Sequence, residues 1–255
     1  MTARYTYGDS SIAAERLNLI ATVFESTTRR FLGRWGPSEV ALAVDLGSGP
    51  GNTTRLIAAT LRPTRTVGLD RSRAFLDRAA RGSPPGIEFL EHDVVVTPFP
   101  VGPADVMFCR LLLSHLPERK DVIARWASQL VPGGRLLLEE LEHVRSREPA
   151  FARYLEIAQR VVADAGGLLF VGADLEASPD PPGLSRIASD VVALEVEPVD
   201  AAKIFAMNVA VLTERGEMEP DPELARALAT IAERNRAAET NWSVRQLAFQ
   251  GSLSR

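Results

Sequence analysis

Three aspartates, Asp45, Asp70 and Asp93, each close an apolar run, and the first leads straight into alternating glycines in Asp45-Leu46-Gly47-Ser48-Gly49-Pro50-Gly51. Glycine at every second place lets the backbone take conformations that a Cβ forbids and lets a bound molecule approach the main chain. The stretch therefore reads as a strand entering a ligand-binding turn, with Asp45 as a fixed negative charge beside it. Asp70 lies 19 residues past Gly51 at the tip of the next apolar run. Nucleotide-binding sheets place there the carboxylate that accepts hydrogen bonds from both ribose hydroxyls. Its competing role is to cap a helix that starts beside Arg71. Asp93, followed by Val94, serves on residue type alone equally well as a turn aspartate. A dinucleotide fingerprint G-x-G-x-x-G/A requires Gly or Ala where the chain has Asn52, which disfavours an NAD-dependent oxidoreductase.

Groups suited to proton transfer are few. His115 follows the fourth apolar run, and Glu140 and His143 lie at the end of the fifth. His115 and Glu140 are the candidate catalytic groups, His115 doubling as a cofactor contact. Glu139 and Glu140 are consecutive, so in a strand only one of them faces a given site; the other role for either is a salt bridge to an arginine. His92 reads as structural. Cys109 is the only cysteine, which excludes an internal disulfide and a cysteine-based metal site; at the end of a central strand it suits a small buried hydrophobe. The histidines and carboxylates lack a ligand spacing such as H-x-x-x-H, so no metal is expected. No G-x-S-x-G elbow supplies a hydrolase nucleophile.

The elements that must carry these groups alternate between two periods. Apolar residues Ile12, Leu17, Ile20, Val23, Phe24 and Phe31 predict an amphipathic helix over 10–32, preceded by Tyr5-Thr6-Tyr7-Gly8-Asp9, a candidate lid in which an aromatic such as Tyr7 could cover a cation. A helix over 53–61, a strand 66–70, a helix 71–81, a strand 87–93, a strand 105–110, a helix 119–130, a turn at 131–135 and a strand 136–140 follow. Beyond them the expectations are a helix over 149–165, a flexible stretch at Gly166, Gly167 and Gly172, a loop at 178–183, a strand 191–199, helices 201–215 and 222–238, and a closing strand 244–253. Strands alternating with helices, with ligand groups at strand ends, are what an open α/β sheet presents.

The D-x-G-x-G-x-G spacing resembles the first motif of the class I S-adenosylmethionine (SAM) dependent methyltransferases. Ser114-His115-Leu116-Pro117 is similar to the post-strand segment of their ubiquinone-biosynthesis-type, small-molecule members. The resemblance spans roughly 40–142. It implies a single domain with a Rossmann-like open seven-stranded, mostly parallel sheet, an N-terminal helical cover over 1–38, a SAM-binding core over 40–142, and helical insertions after strand five with the closing strands over 143–255. It implies SAM as cofactor and S-adenosylhomocysteine as product. Asp45, Gly47, Ser48, Gly49 and Gly51 would lie at the methionine end, Asp70 and Arg71 at the ribose, Asp93 and Val94 at the adenine, and Arg110 and His115 near the methionine moiety. The implied reaction is methylation of a small molecule on oxygen, nitrogen or carbon; a fold that binds SAM without transferring methyl is the alternative. The fourth strand ends Cys109-Arg110-Leu111-Leu112, unlike the Asn/Asp-Pro-Pro-aromatic pattern of methyltransferases acting on exocyclic amines of nucleic acid, which favours a small-molecule acceptor. Arg145, Arg147 and Arg153 offer either an anchor for an acidic acceptor or a solvated face.

Composition agrees. With 45% apolar and 24% charged residues over 255 positions, the chain is an ordinary globular one. A net charge of -4 leaves no footprint for a nucleic-acid backbone. No apolar run reaches the ~18 residues of a membrane span, and the polar start lacks a signal-peptide core, so the expected setting is cytoplasmic. Monomer and homodimer stay open.

Overall fold

The computed structural model describes residues 7–234 and 239–253. Tyr5 and Thr6 of the candidate lid, and the end of the helix expected over 222–238, lie outside them. Helix α1 (Ser11–Trp35) starts where the Ser10 hydroxyl accepts from the Ala13 amide and covers one sheet face with Phe31 and Leu32. The core then alternates through β1 (Leu42–Leu46), α2 (Asn52–Leu61), β2 (Arg65–Asp70), α3 (Arg73–Ala80), β3 (Ile87–Glu91), β4 (Ala104–Arg110), a 3-10 turn (Leu113–His115), α4 (Arg119–Ala127) and β5 (Leu130–Ser146). The second half contributes α5 (Pro149–Asp164), α6 (Gly172–Ala177), β6 (Leu184–Leu194), α7 (Pro198–Glu214), α8 (Pro222–Arg234) and β7 (Thr240–Gly251).

The seven strands form one sheet in the order β3-β2-β1-β4-β5-β7-β6, with β7 antiparallel to its two neighbours and the other pairings parallel. This is the Rossmann-like, mostly parallel arrangement that the family resemblance implied. Strand order reverses between β1 and β4, the place where open α/β sheets bind ligands beyond the carboxyl ends of their strands.

Each central strand is buried on both faces. From β4, Met107 and Cys109 pack toward Trp126, Phe99 and Leu136, while Val106 and Phe108 pack toward Phe31, Leu32 and Ile57. A third cluster, Phe24, Phe151, Tyr154, Phe205 and Trp242, fills the space where α1, α5 and α7 meet the outer ends of β5 and β7.

Three expectations are corrected. The Val131-to-Arg135 turn is taken into β5, which leaves register with β4 between Ala104 and Val106, and β5 runs to Ser146 because β7 pairs with it over Arg135 to Ser146. β6 begins at Leu184 rather than 191: it is an edge strand, half exposed, and Ser185, Arg186, Ser189 and Asp190 hide it from an apolar-pattern reading. The expected flexible stretch ends in helix α6, which begins at Gly172. As expected, helices α7 and α8 separate the last two strands in sequence. No helix among the described residues is long and apolar enough to cross a membrane.

Candidate functional site

The carboxyl ends of β1, β2 and β4 open into a cavity of about 740 Å³. The glycine turn forms one wall. The amides of Gly47 and Ser48 both donate to the Leu69 carbonyl, at 2.8 and 3.0 Å, and the Gly49 amide donates to Asp70 Oδ2 at 2.8 Å. These bonds hold the turn against the end of β2, with Gly47 and Gly49 at φ +75° and +52°, values open to glycine at little cost.

Asp70 lines the cavity and spends both oxygens on main chain as well: Oδ1 accepts from the Ser72 amide at 2.8 Å. Burial raises its pKa, opposed by the Ser72 and Gly49 amides. The helix cap is Ser72, whose hydroxyl accepts from Phe75 N and donates to Asp9 at 2.7 Å. Asp9 and Tyr7 line the same cavity, so this part of the candidate lid reaches from the β2 tip to the turn after β4, where Tyr7 meets His115 edge to face at 5.9 Å. Arg71 lines the cavity beside Asp70. Asp93 and Val94 line it from the end of β3; Asp93 Oδ1 accepts from Val95 N at 3.2 Å, and the Val94 carbonyl is pinned by Trp126 Nε1 at 2.8 Å. The turn role and the lining role of Asp93 therefore coexist. His92 also borders the cavity, with Nε2 against the Val96 carbonyl at 2.8 Å.

Two members of the glycine motif lie beneath the site instead of in it. Asp45 is buried and absent from the cavity wall; its Oδ2 accepts from the Thr54 hydroxyl at 2.6 Å. Burial raises its pKa to about 7, against the Thr54 hydrogen bond and Arg110, so it is no fixed charge. Gly51, at φ +84°, stands before α2, and a Cβ there would come within 2.6 Å of the Phe89 ring. Its glycine serves packing. Helix α2 has no side-chain cap, so its first amides and positive dipole end stand at the turn, a place that favours an anion.

Glu140 is corrected too. It is buried and does not reach the cavity: Oε1 accepts from the amides of Leu112 and Leu113, both at 2.8 Å, and so builds the turn that carries His115. Burial raises its pKa to about 7 against those amides. Glu139 points to the other face, as alternation requires, and binds Thr28 and Gln246 behind Arg110. Arg110 lines the cavity, donates to Thr28 Oγ1 at 3.2 Å and lies 5.4 Å from the Phe24 ring centre. His143 hydrogen-bonds Ser243 at 2.9 Å, away from the cavity wall. Arg153 pairs with Asp221 at 2.7 Å, Arg147 is exposed beside Glu239, and Arg145 is exposed; none of the three lines the cavity. Cys109 is a buried thiol whose pKa burial pushes up.

His115 faces the cavity from the 3-10 turn, and removal from water, with Arg16 and then Arg71 nearby, lowers its pKa to about 3. It is uncharged at neutral pH. Arg16 itself is buried, donates to Asn208 Oδ1 at 2.8 Å and lies 4.5 Å over the Tyr7 ring; Asn208 in turn binds the Tyr154 hydroxyl. Arg16, Tyr154, Asn208, Phe205 and Trp242 all line the cavity, and none was singled out from sequence. One signal was present: Arg16 interrupts the apolar series Ile12, Ile20, Phe24 at four-residue spacing, a charge within an apolar helical stripe.

The residues fit a nucleoside carrying an amino-acid tail. Carboxylates stand at two strand ends, Arg16 and Arg110 with the uncapped end of α2 suit a tail carboxylate, and the buried Ser48 hydroxyl on the wall has no partner among the described residues.

Residues 44–138, from β1 into β5, match a family described as a methyltransferase domain. Among curated relatives, the trans-aconitate 2-methyltransferase of Methylobacterium nodulans is 39% identical over 129 residues, 46% of this chain and 49% of that one. That of Azoarcus sp. is 33% identical over 111 residues, 44% and 43% of the two chains. The chain thus spans about half the length of the relatives it matches. The fold is shared with BH2331 of Bacillus halodurans C-125 (TM-score 0.62, 14% identity, 89% and 99% covered) and with the [4+2]-cyclase SpnF (0.55, 17%, 90% and 81%). At such identities the likeness is one of fold alone.

Proposed function

We propose that this chain, whose residues 44–138 match a methyltransferase domain, transfers a methyl group from SAM to a small-molecule acceptor and releases S-adenosylhomocysteine. One observation carries the reading: the glycine turn, Asp70 and Asp93 border a single cavity that continues past Arg110 into a chamber walled by Val144, Ile204, Phe205 and Trp242. In this reading Asp70 accepts from the ribose hydroxyls, Asp93 and Val94 meet the adenine, Gly47 to Gly49 lie along the amino-acid tail, and Arg16 or Arg110 holds its carboxylate.

SAM supplies a methyl group on a sulfonium, already a good leaving group. The protein's work is to align the acceptor's lone pair with that carbon, within about 3–3.5 Å and opposite the sulfur, and to exclude water. Phe24, Leu111 and Tyr154 on the cavity wall suit the second task. His115 borders the same space, but its reluctance to take a proton favours a nucleophile that needs no base.

Calorimetric titration with SAM and with NADH, followed by mass spectrometry of a metabolite extract incubated with deuterated-methyl SAM, tests the proposal. SAM binding and a deuteromethyl product are expected, with trans-aconitate, the acceptor named for the relatives, as one defined arm. NADH binding without SAM binding refutes the cofactor. SAM binding with no methylated product favours a binding role for the fold.

A further inference from the structure

The chamber beyond Arg110 is walled mainly by residues that follow the matched segment, and most of its wall is hydrocarbon. Val144, Leu155, Ile204, Phe205 and Trp242 line it, joined by Phe24 of α1, and all six are buried. Tyr154 stacks on Phe205 at 4.1 Å and Phe205 on Trp242 at 5.6 Å, with planes 23° and 9° apart, so the wall offers a row of parallel rings. Its polar atoms are committed: the Tyr154 hydroxyl is bound by Asn208, and Asn208 by Arg16. After residue 141 the one charged side chain on the described wall is Arg215, with Glu217 at 3.9 Å.

A tricarboxylate would bring three negative charges into this space. The arginines that border the whole cavity, Arg16, Arg71, Arg110 and Arg215, already share it with Asp9, Asp70 and Asp93, and Arg110 has Glu139 behind it. Carboxylates set against hydrocarbon without a full complement of partners are strongly disfavoured, whereas an apolar body gains from every surface it covers. The stacked rings, held by one another, add a large apolar surface.

We infer that the acceptor is an uncharged molecule with a largely apolar body, and not a polycarboxylate of the trans-aconitate kind. The inference rests on the methyltransferase reading of the site. The family match covers residues 44–138, and most of the chamber wall lies outside it.

The test is calorimetry on the full chain saturated with S-adenosylhomocysteine, using 1-naphthol and trans-aconitate as probes. 1-Naphthol is expected to bind at least about tenfold more tightly, with a negative heat-capacity change. Phe205→Ala and, separately, Ile204→Asn should weaken 1-naphthol about fivefold or more while S-adenosylhomocysteine affinity, which reports an intact fold, stays within about twofold. Tighter binding of trans-aconitate, or no binding of 1-naphthol, overturns the inference. The titrations are repeated without S-adenosylhomocysteine, so a failure of the cofactor reading alone leaves the preference between probes readable.

Discussion

Replacing Glu140 by glutamine keeps the shape of the side chain and removes one titration. The amide oxygen still accepts from Leu112 N and Leu113 N, now 2.8 Å from Oε1, while an NH₂ takes the place of Oε2, which has no partner among the described residues. A buried amide hydrogen left unpaired costs about 1–3 kcal/mol. Against this stands ionisation. Burial raises the carboxyl pKa from 4.5 to about 7, so the folded chain holds this proton more tightly than the unfolded chain. Stability from the group is complete below the unfolded value and is lost as pH rises through the folded one; at ~1.4 kcal/mol per pKa unit the loss totals about 3 kcal/mol. Glutamine has nothing to ionise. Glu140→Gln should therefore be the less stable protein near pH 4 and gain on the parent by about 3 kcal/mol toward pH 8, Asp45 cancelling because both proteins carry it. Urea unfolding of both across that range measures the difference. A difference that does not change with pH refutes the assignment. Because the carboxylate supports the turn and does not reach the cavity, the variant should also keep S-adenosylhomocysteine affinity within about twofold, and turnover with it. A folded variant with intact affinity and turnover lower by about a hundredfold would return Glu140 to catalysis.

Three further outcomes follow from the same geometry. Asp70→Ala removes the acceptor for Gly49 N and Ser72 N as well as the proposed ribose contact, so SAM affinity should fall by more than about tenfold in a chain that still folds; unchanged affinity by calorimetry refutes the ribose role. His115, with a pKa lowered to about 3, should leave the pH–rate profile flat across its ordinary range near 6.5, and an inflection there that disappears in His115→Gln contradicts this. Gly51→Ala places a Cβ 2.6 Å from Phe89 at φ +84°, and strain and overpacking together should cost about 2–5 kcal/mol in urea unfolding; a cost under about 1 kcal/mol refutes the packing role.

The cofactor half was legible in sequence because its logic is local. Strand, turn and strand-end carboxylate follow one another within a few dozen residues, and Asp70, Asp93 and the Gly47–Gly49 turn border one cavity. Spacing could not tell which side of the backbone a motif residue serves, so Asp45 and Gly51, members of the same seven-residue run, were assigned to the ligand when they hold the turn from beneath. Glu140 misled for a related reason: alternation gives two faces, and the tip of β5 offers a third destination, the amides of a neighbouring turn. The second chamber was illegible because its contacts are distant, as when Arg16 meets Asn208 across 192 positions. Partners so far apart leave no periodic trace in either helix.

The placement of β7 sets an order of assembly. The last strand of the chain fills an interior position, and β6 pairs with no other described strand. Everything from β1 through the first pairing of β5 with β4 closes on contacts made earlier in the chain, so the cofactor turn can take shape while β7 is still being synthesised. The ring wall cannot, because Trp242 arrives on β7 itself. The two halves of the cavity thus draw on different stretches of chain, the glycine-turn half on pairings within residues 42–139 and the ring wall on Trp242 as well.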